Sequence, residues 1–167
     1  MTIDLSTQTG FNGFLDRLIS RFRDQAINDE LDGGNLDAVN QHVEGPINTD
    51  QLSSQYAFPI LWSVPQTYST AYDTVASDHG ELQVQVIVVA SDTDPKVAFE
   101  KARVLIGRVV GNVERSALVD AGDAAAANVR LENLQLDFEA RRGGNRAQLR
   151  YAQAVFAVDA ERRVRKP

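Results

Sequence analysis

At 167 residues and 43% hydrophobic, the chain can bury one ordinary core, and we read 1–167 as a single domain. The absence of cysteine excludes disulfides, thiolate metal sites and a cysteine nucleophile together. A net charge of −6 argues against a nucleic-acid binder held by phosphate contacts.

The start, Met1-Thr2-Ile3-Asp4-Leu5-Ser6, lacks the basic and apolar regions of a signal peptide, and no apolar run approaches a membrane span. The expected place of synthesis and assembly is therefore the cytoplasm, with no membrane partner. Only Lys96, Lys101 and Lys166 among the 17 basic residues are lysine, and aspartate outnumbers glutamate. That composition suits a protein kept soluble in high salt; a high-GC genome, which favours Arg over Lys, accounts for it equally.

Phe11, Phe14, Leu15, Leu18, Phe22 and Ala26 fall at helical spacing, with Asp16, Arg17, Ser20, Arg21, Arg23 and Asp24 on the other face. The spacing predicts an N-terminal helix, capped by Thr9 or Asn12 and stopped within 28–34. Residues 28–55 are acidic, polar and rich in Gly, Asn and Gln, and read as a solvated loop or a partner-contacting arm. Within them Leu36, Val39 and Val43 suit a short helix capped by Asn35. Residues 56–64 read as a strand that Pro59 restricts to an edge or a bulge and Pro65 ends. Residues 67–76 form a second β-prone run, and Asp78-His79-Gly80 a turn.

The strand that follows places Leu82, Val84, Val86 and Val88 on one face and Gln83 and Gln85 on the other. From Ile87 onward both faces are apolar, so this half should be covered on both sides. Asp94 then caps a long helix with Pro95 as its first residue. Val97, Ala98, Ala102, Leu105, Val109 and Val113 trace its apolar stripe, broadened by Phe99, Ile106 and Val110, to an end near Leu118. An Ala/Gly/Asp connector over 121–128 leads to two more strands. Val129 and Leu131 are at odd positions, whereas Leu134, Leu136, Phe138 and Ala140 are at even ones, which predicts a bulge near Glu132-Asn133. If Gly143-Gly144 is a two-residue turn, Phe138 faces Leu149, Leu136 faces Tyr151 and Asp137 faces Arg150. The basic residues 159–167 read as a frayed tail. The class is α+β: a mixed, mainly antiparallel four- or five-stranded sheet, backed by an N-terminal helix and one long central helix.

Chemistry is hard to find. His42 lies in the acidic loop and His79 in the predicted turn, neither with a ligand partner at helical or hairpin spacing. Helix capping accounts for Asp94, and Asp29, Glu30 and Asp32 lack the spacing and glycine of an EF-hand. Gly107 and Gly111 sit inside a helix and Gly143-Gly144 between strands, so no phosphate loop is formed. No catalytic residue, metal or cofactor is expected.

The order of these parts resembles the tail terminator (tail completion) proteins of long-tailed phages and archaeal tailed viruses. It is carried by the N-terminal helix, the strand opened by Phe58-Pro59-Ile60, the strand Val84-Gln85-Val86-Ile87-Val88-Val89 and the turn Ser91-Asp92-Thr93-Asp94. The helix over 98–117 and the closing pair 129–138 and 147–158 complete it. The resemblance implies a virion protein: a ring, commonly of about six subunits, that caps the tail tube and joins it to the neck or connector. DNA would pass through its centre without specific binding. It also implies that adjacent sheets pack side by side. The residues expected at that contact are Ile87, Val88 and Val89, with Trp62, Phe58 and Tyr151. On that basis Val88→Asp or Val89→Asp is expected to leave the subunit folded and block ring formation. Neck, head-completion and minor tail proteins are neighbouring readings. A small α+β ligand-binding or regulatory domain is the reading from another class.

Overall fold

The computed structural model describes residues 10–27, 41–44, 58–73, 77–114, 117–119, 124–142 and 147–163. In chain order the elements are α1 (Gly10–Ile27), β1 (Gln41–Glu44), β2 (Ile60–Asp73), β3 (Ser77–Asp92), α2 (Pro95–Glu114), β4 (Ala117–Val119), β5 (Ala124–Arg142) and β6 (Gln148–Arg163). The strands form one sheet in the order β1-β2-β3-β6-β5-β4, with β1 and β2 parallel and every other pair antiparallel. The expected α+β class with a mixed, mainly antiparallel sheet is what the chain forms.

Among the described residues the sheet has six strands rather than four or five, the additions being two short edge strands, β1 and β4. Val43 belongs to β1, beside Trp62, and not to a helix. Ala117, Leu118 and Val119 pair with β5 instead of extending α2, and β5 begins at Ala124 inside the expected connector. Edge strands of three or four residues carry too little periodicity to announce themselves. The rest of 28–55, the Gly143-Gly144 turn and the tail beyond Arg163 lie outside the described residues.

Both helices lie on one face of the sheet. Phe14, Leu18, Phe22 and Ala26 of α1, four apart, meet Ala102, Leu105, Ile106, Val109 and Val113 of α2 over Leu82, Val84, Val86, Val88, Ala152, Ala154, Phe156 and Val158. Phe22 meets Phe156 edge-on, with centroids 5.4 Å apart. Asn112, buried where the helices touch, donates from Nδ2 to the Ala26 carbonyl, and Gln25 donates from Nε2 to the Asn112 carbonyl at 3.0 Å. The α2 start is built as expected: Asp94 Oδ1 accepts from the Lys96 amide at 2.9 Å, and the Ala98 amide makes the first turn to the Asp94 carbonyl.

Three strand boundaries depart from expectation. The break at Pro65 is a bulge, with the register slipping between Pro65 and Thr67, so β2 continues as one strand to Asp73. Asp78, His79 and Gly80 lie within β3, not in a turn. A Cβ on Gly80 would overlap the Tyr68 ring and hydroxyl, so this glycine makes room for a ring from the neighbouring strand. Residues 159–163 continue β6 along β3 rather than fraying.

The β5–β6 hairpin is the larger correction. From Ala127 to Leu131 its register is the one a two-residue turn implies. It slips by one between Leu131 and Asn133, at the expected bulge, and by two more between Gln135 and Glu139. Leu149 therefore faces Arg141, Tyr151 faces Glu139 and Arg150 faces Ala140, three residues from the expected partners. A shift of two leaves the in–out alternation unchanged, so the hydrophobic pattern cannot report it. Asp137 still reaches Arg150, at 3.2 Å, from within the bulged stretch.

Candidate functional site

The second face of the sheet changes character along the strands. At one end Ile60, Trp62, Ile87, Val89, Leu149 and Tyr151 form a separate apolar cluster with Phe58 and Val64 beside it. Next comes a row of glutamines across four strands: Gln66 donates to Gln85, Gln85 to Gln153 and Gln153 to Gln135. Beyond it Arg130 holds Asp159 at 2.8 Å, Glu81 at 3.1 Å and Glu132 at 3.5 Å. The Glu81 hydrogen bond and then the Asp159 charge hold the Arg130 guanidinium above its ordinary pKa.

The six residues expected at a subunit contact are thus placed within one chain. Val88 is fully buried in the helix-covered core. Ile87, Val89, Trp62 and Tyr151 are buried in the second-face cluster, and only Phe58 stays half-exposed. The two-sided cover that β3 requires is thus present within the subunit.

The more accessible apolar surface flanks α2. Val97 and Val104, seven residues apart, are 39% and 41% exposed and line a groove of about 770 Å³ with Phe58, Pro59 and Leu105. Lys96, Glu100, Lys101 and Arg108 form its rim. Lys96 also borders a smaller hollow with Pro95, Phe99, Asp137 and Arg150. Leu134 and Leu136 of β5 are 38% and 41% exposed. A Cβ on Gly107 would meet nothing, so that glycine is not explained by close packing on the sheet. Sequence reasoning put Val97 in the core stripe and passed over Val104. The available signal was a second apolar line, 97–104, flanked by the charges at 96, 100, 101 and 108.

At the groove's end Lys101 bonds Asp92 at 2.8 Å. That bond, helped by the Asp94 and Thr93 amides, holds the Asp92 carboxyl below its usual range. Among the described residues no group of three or more His, Asp or Glu is placed to hold a metal, and no helix is long and apolar enough to cross a membrane. His79 lies half-buried on β3, and His42 pairs with Leu61 on β1. Among the described residues the arrangement offers apolar surfaces and ion pairs.

No family model and no curated protein matches the chain. Among solved structures it is similar to a chain in the virion of a native gene transfer agent particle. The two superpose with a TM-score of 0.54 at 17% identity, over 86% of this chain and 94% of that one. The likeness is one of fold.

Proposed function

We propose that this protein is a structural component of a phage-like virion, and within it the tail terminator: the ring that caps the tail tube at the head–tail junction. The observation that carries the reading is the fold shared, over nearly the whole of both chains, with a chain of a gene transfer agent virion. The described side chains support it by offering accessible apolar surface on α2 and β5.

In this role the partners are further copies of the chain, in a ring of about six, with the tail tube protein on one side and the neck or connector protein on the other. DNA passes through the centre, and a net charge of −6 keeps it from adhering. No cofactor takes part. Native mass spectrometry and negative-stain microscopy of the full-length protein at micromolar concentration test the reading. A closed ring is expected; a monomer under every condition overturns it. Electron cryomicroscopy of the particle separates a terminator from a neck or minor tail part.

One observation favours a second reading. The groove along α2 has a volume within the usual range of small-molecule sites. A compound that raises the melting temperature of a strictly monomeric protein would replace the assembly reading with a ligand-binding one.

A further inference from the structure

The two helices do not roof the sheet evenly. α1 reaches β2 in its later part, where Phe14 meets the Tyr68 ring edge-on at 6.1 Å. Beside Phe58 and Pro59, at the start of that strand, the groove is lined by α2, the end of β3 and the lead-in to β2, and no residue of α1 is among them. The groove therefore lies alongside α2 where the helix layer stops. The α2 residues along it are spaced as helix contacts are. Val97 and Val104 are seven residues apart, about 10.5 Å or two turns along the axis, and both are exposed. Gly107, one turn on from Val104 and also exposed, leaves room there for an approaching backbone.

The rim charges are only partly satisfied within the chain. Lys101 holds Asp92 at 2.8 Å, and Arg103 holds Glu100 at 2.7 Å. Lys96 and Arg108, which also line the groove, form no ion pair among the described residues. They lie about 18 Å apart along the helix axis, a little over three turns. A chain of net charge −6 thus keeps two uncompensated cations beside its accessible apolar groove.

We propose that this groove receives an acidic amphipathic helix of another protein. Its apolar residues, at i, i+3 or i+4 and i+7, would cover Val97 and Val104, and carboxylates about three turns apart would face Lys96 and Arg108. The occupant is a different polypeptide because both described helices already turn their apolar stripes into the core of their own chain. On α1 these are Phe14, Leu18 and Phe22, and on α2 Ala102, Leu105 and Val109. Among the described residues a second copy therefore has no such helix to offer. The proposal goes beyond the ring reading and does not rest on it.

The test uses the full-length protein, in the assembly it forms, and two synthetic peptides followed by fluorescence anisotropy at about 0.1 M salt. Both peptides are helical and about sixteen residues long, with leucine at i, i+3, i+4 and i+7; one carries glutamate near each end and its twin lysine. The acidic peptide should bind at least tenfold more tightly than the twin. Val97→Glu with Val104→Glu should weaken it at least tenfold, and Lys96→Glu with Arg108→Glu should turn the preference to the lysine twin. None of these four residues is buried, so the variants should keep the fold, which circular dichroism checks. Equal binding of the twins, binding that neither pair of changes alters, or no binding of either peptide overturns the proposal. So does a groove that takes dodecanoate and neither peptide, which is a small-molecule site. An acidic peptide bound only by dissociated subunits places the groove between copies; that overturns the proposal and leaves the ring reading standing. A monomer that binds the acidic peptide as expected removes the ring reading and supports the proposal.

Discussion

The two faces of the sheet bury apolar surface in different ways. The helix-covered face is apolar from Leu82 to Ala90 on β3 and along β6 from Ala152 to Ala160, because α1 and α2 roof it. The other face gathers its apolar cluster at Ile60, Trp62, Ile87, Val89, Leu149 and Tyr151, and beyond it carries a row of glutamines and an ion-pair cluster. Val88 and Val89 are adjacent in sequence and belong to separate cores. Two-sided burial of a strand is thus weak grounds for a subunit contact, since both sides can be satisfied within one chain.

The sharpest break of this comparison is a charge in the roofed core. Val88→Asp would strand a carboxylate between sheet and helices with no partner, and should cost more than about 4 kcal/mol. We expect a chain without a cooperative thermal transition by circular dichroism, not a folded subunit that merely fails to assemble. A folded monomer would show that the helices do not seal that face. Next in size is Trp62→Ala on the second face, where the indole meets the Tyr151 ring edge-on at 6.4 Å. Its loss should cost about 3 kcal/mol in a urea titration, with the fold retained. An effect below about 1 kcal/mol would mean that the second cluster is not a core.

Much of the roofed face was legible because period and burial agree there. Phe14, Leu18 and Phe22 repeat at helical spacing, and Leu82, Val84 and Val86 alternate, so the sequence alone names the surface that must be covered. The Glu132 bulge was legible for the same reason, as a change of phase. The second slip in β5 keeps its phase and leaves no such trace. Gly80 read as a turn because the ring that requires it, Tyr68, comes from another strand. The exposed line of Val97 and Val104 was hidden by composition: a valine on a helix reads as core until its neighbours are placed. The candidate surface was therefore less legible than the fold, because being left uncovered is a tertiary property.

Smaller changes sharpen the comparison. Asn112→Ala removes the side-chain bond that joins α2 to the end of α1 and should lower stability by about 1 to 2 kcal/mol. Part of that loss is offset because Asn112 Oδ1 is buried with no partner. On the polar face, Gln153→Ala interrupts the glutamine row at its centre, yet these amides are at least partly open to water. A cost of no more than about 0.5 to 1 kcal/mol is expected. If the glutamine change proves the costlier of the two, the second face is covered in solution and the contrast between the faces fails.

The smallest effect belongs to the ion pair at the start of α2. Asp92 titrates below its unfolded value because Lys101 and the Asp94 amide favour the carboxylate. A depressed folded pKa means that the unfolded chain takes up the proton first as pH falls. The stabilisation is therefore in full force above the usual carboxylate range and fades as pH drops through the lower folded value. Both partners are solvated, so the effect should be slight and screened by salt. Asp92→Asn should lower stability slightly at neutral pH, where the ion pair is in full force, and leave the acid end unchanged, so the acid side of the stability–pH curve flattens. The acid end is the discriminating part. If stability fell there as well, Asp92 would matter through the hydrogen bond that its Oδ1 accepts from the Asp94 amide, a local turn contact that asparagine reproduces imperfectly, rather than through charge.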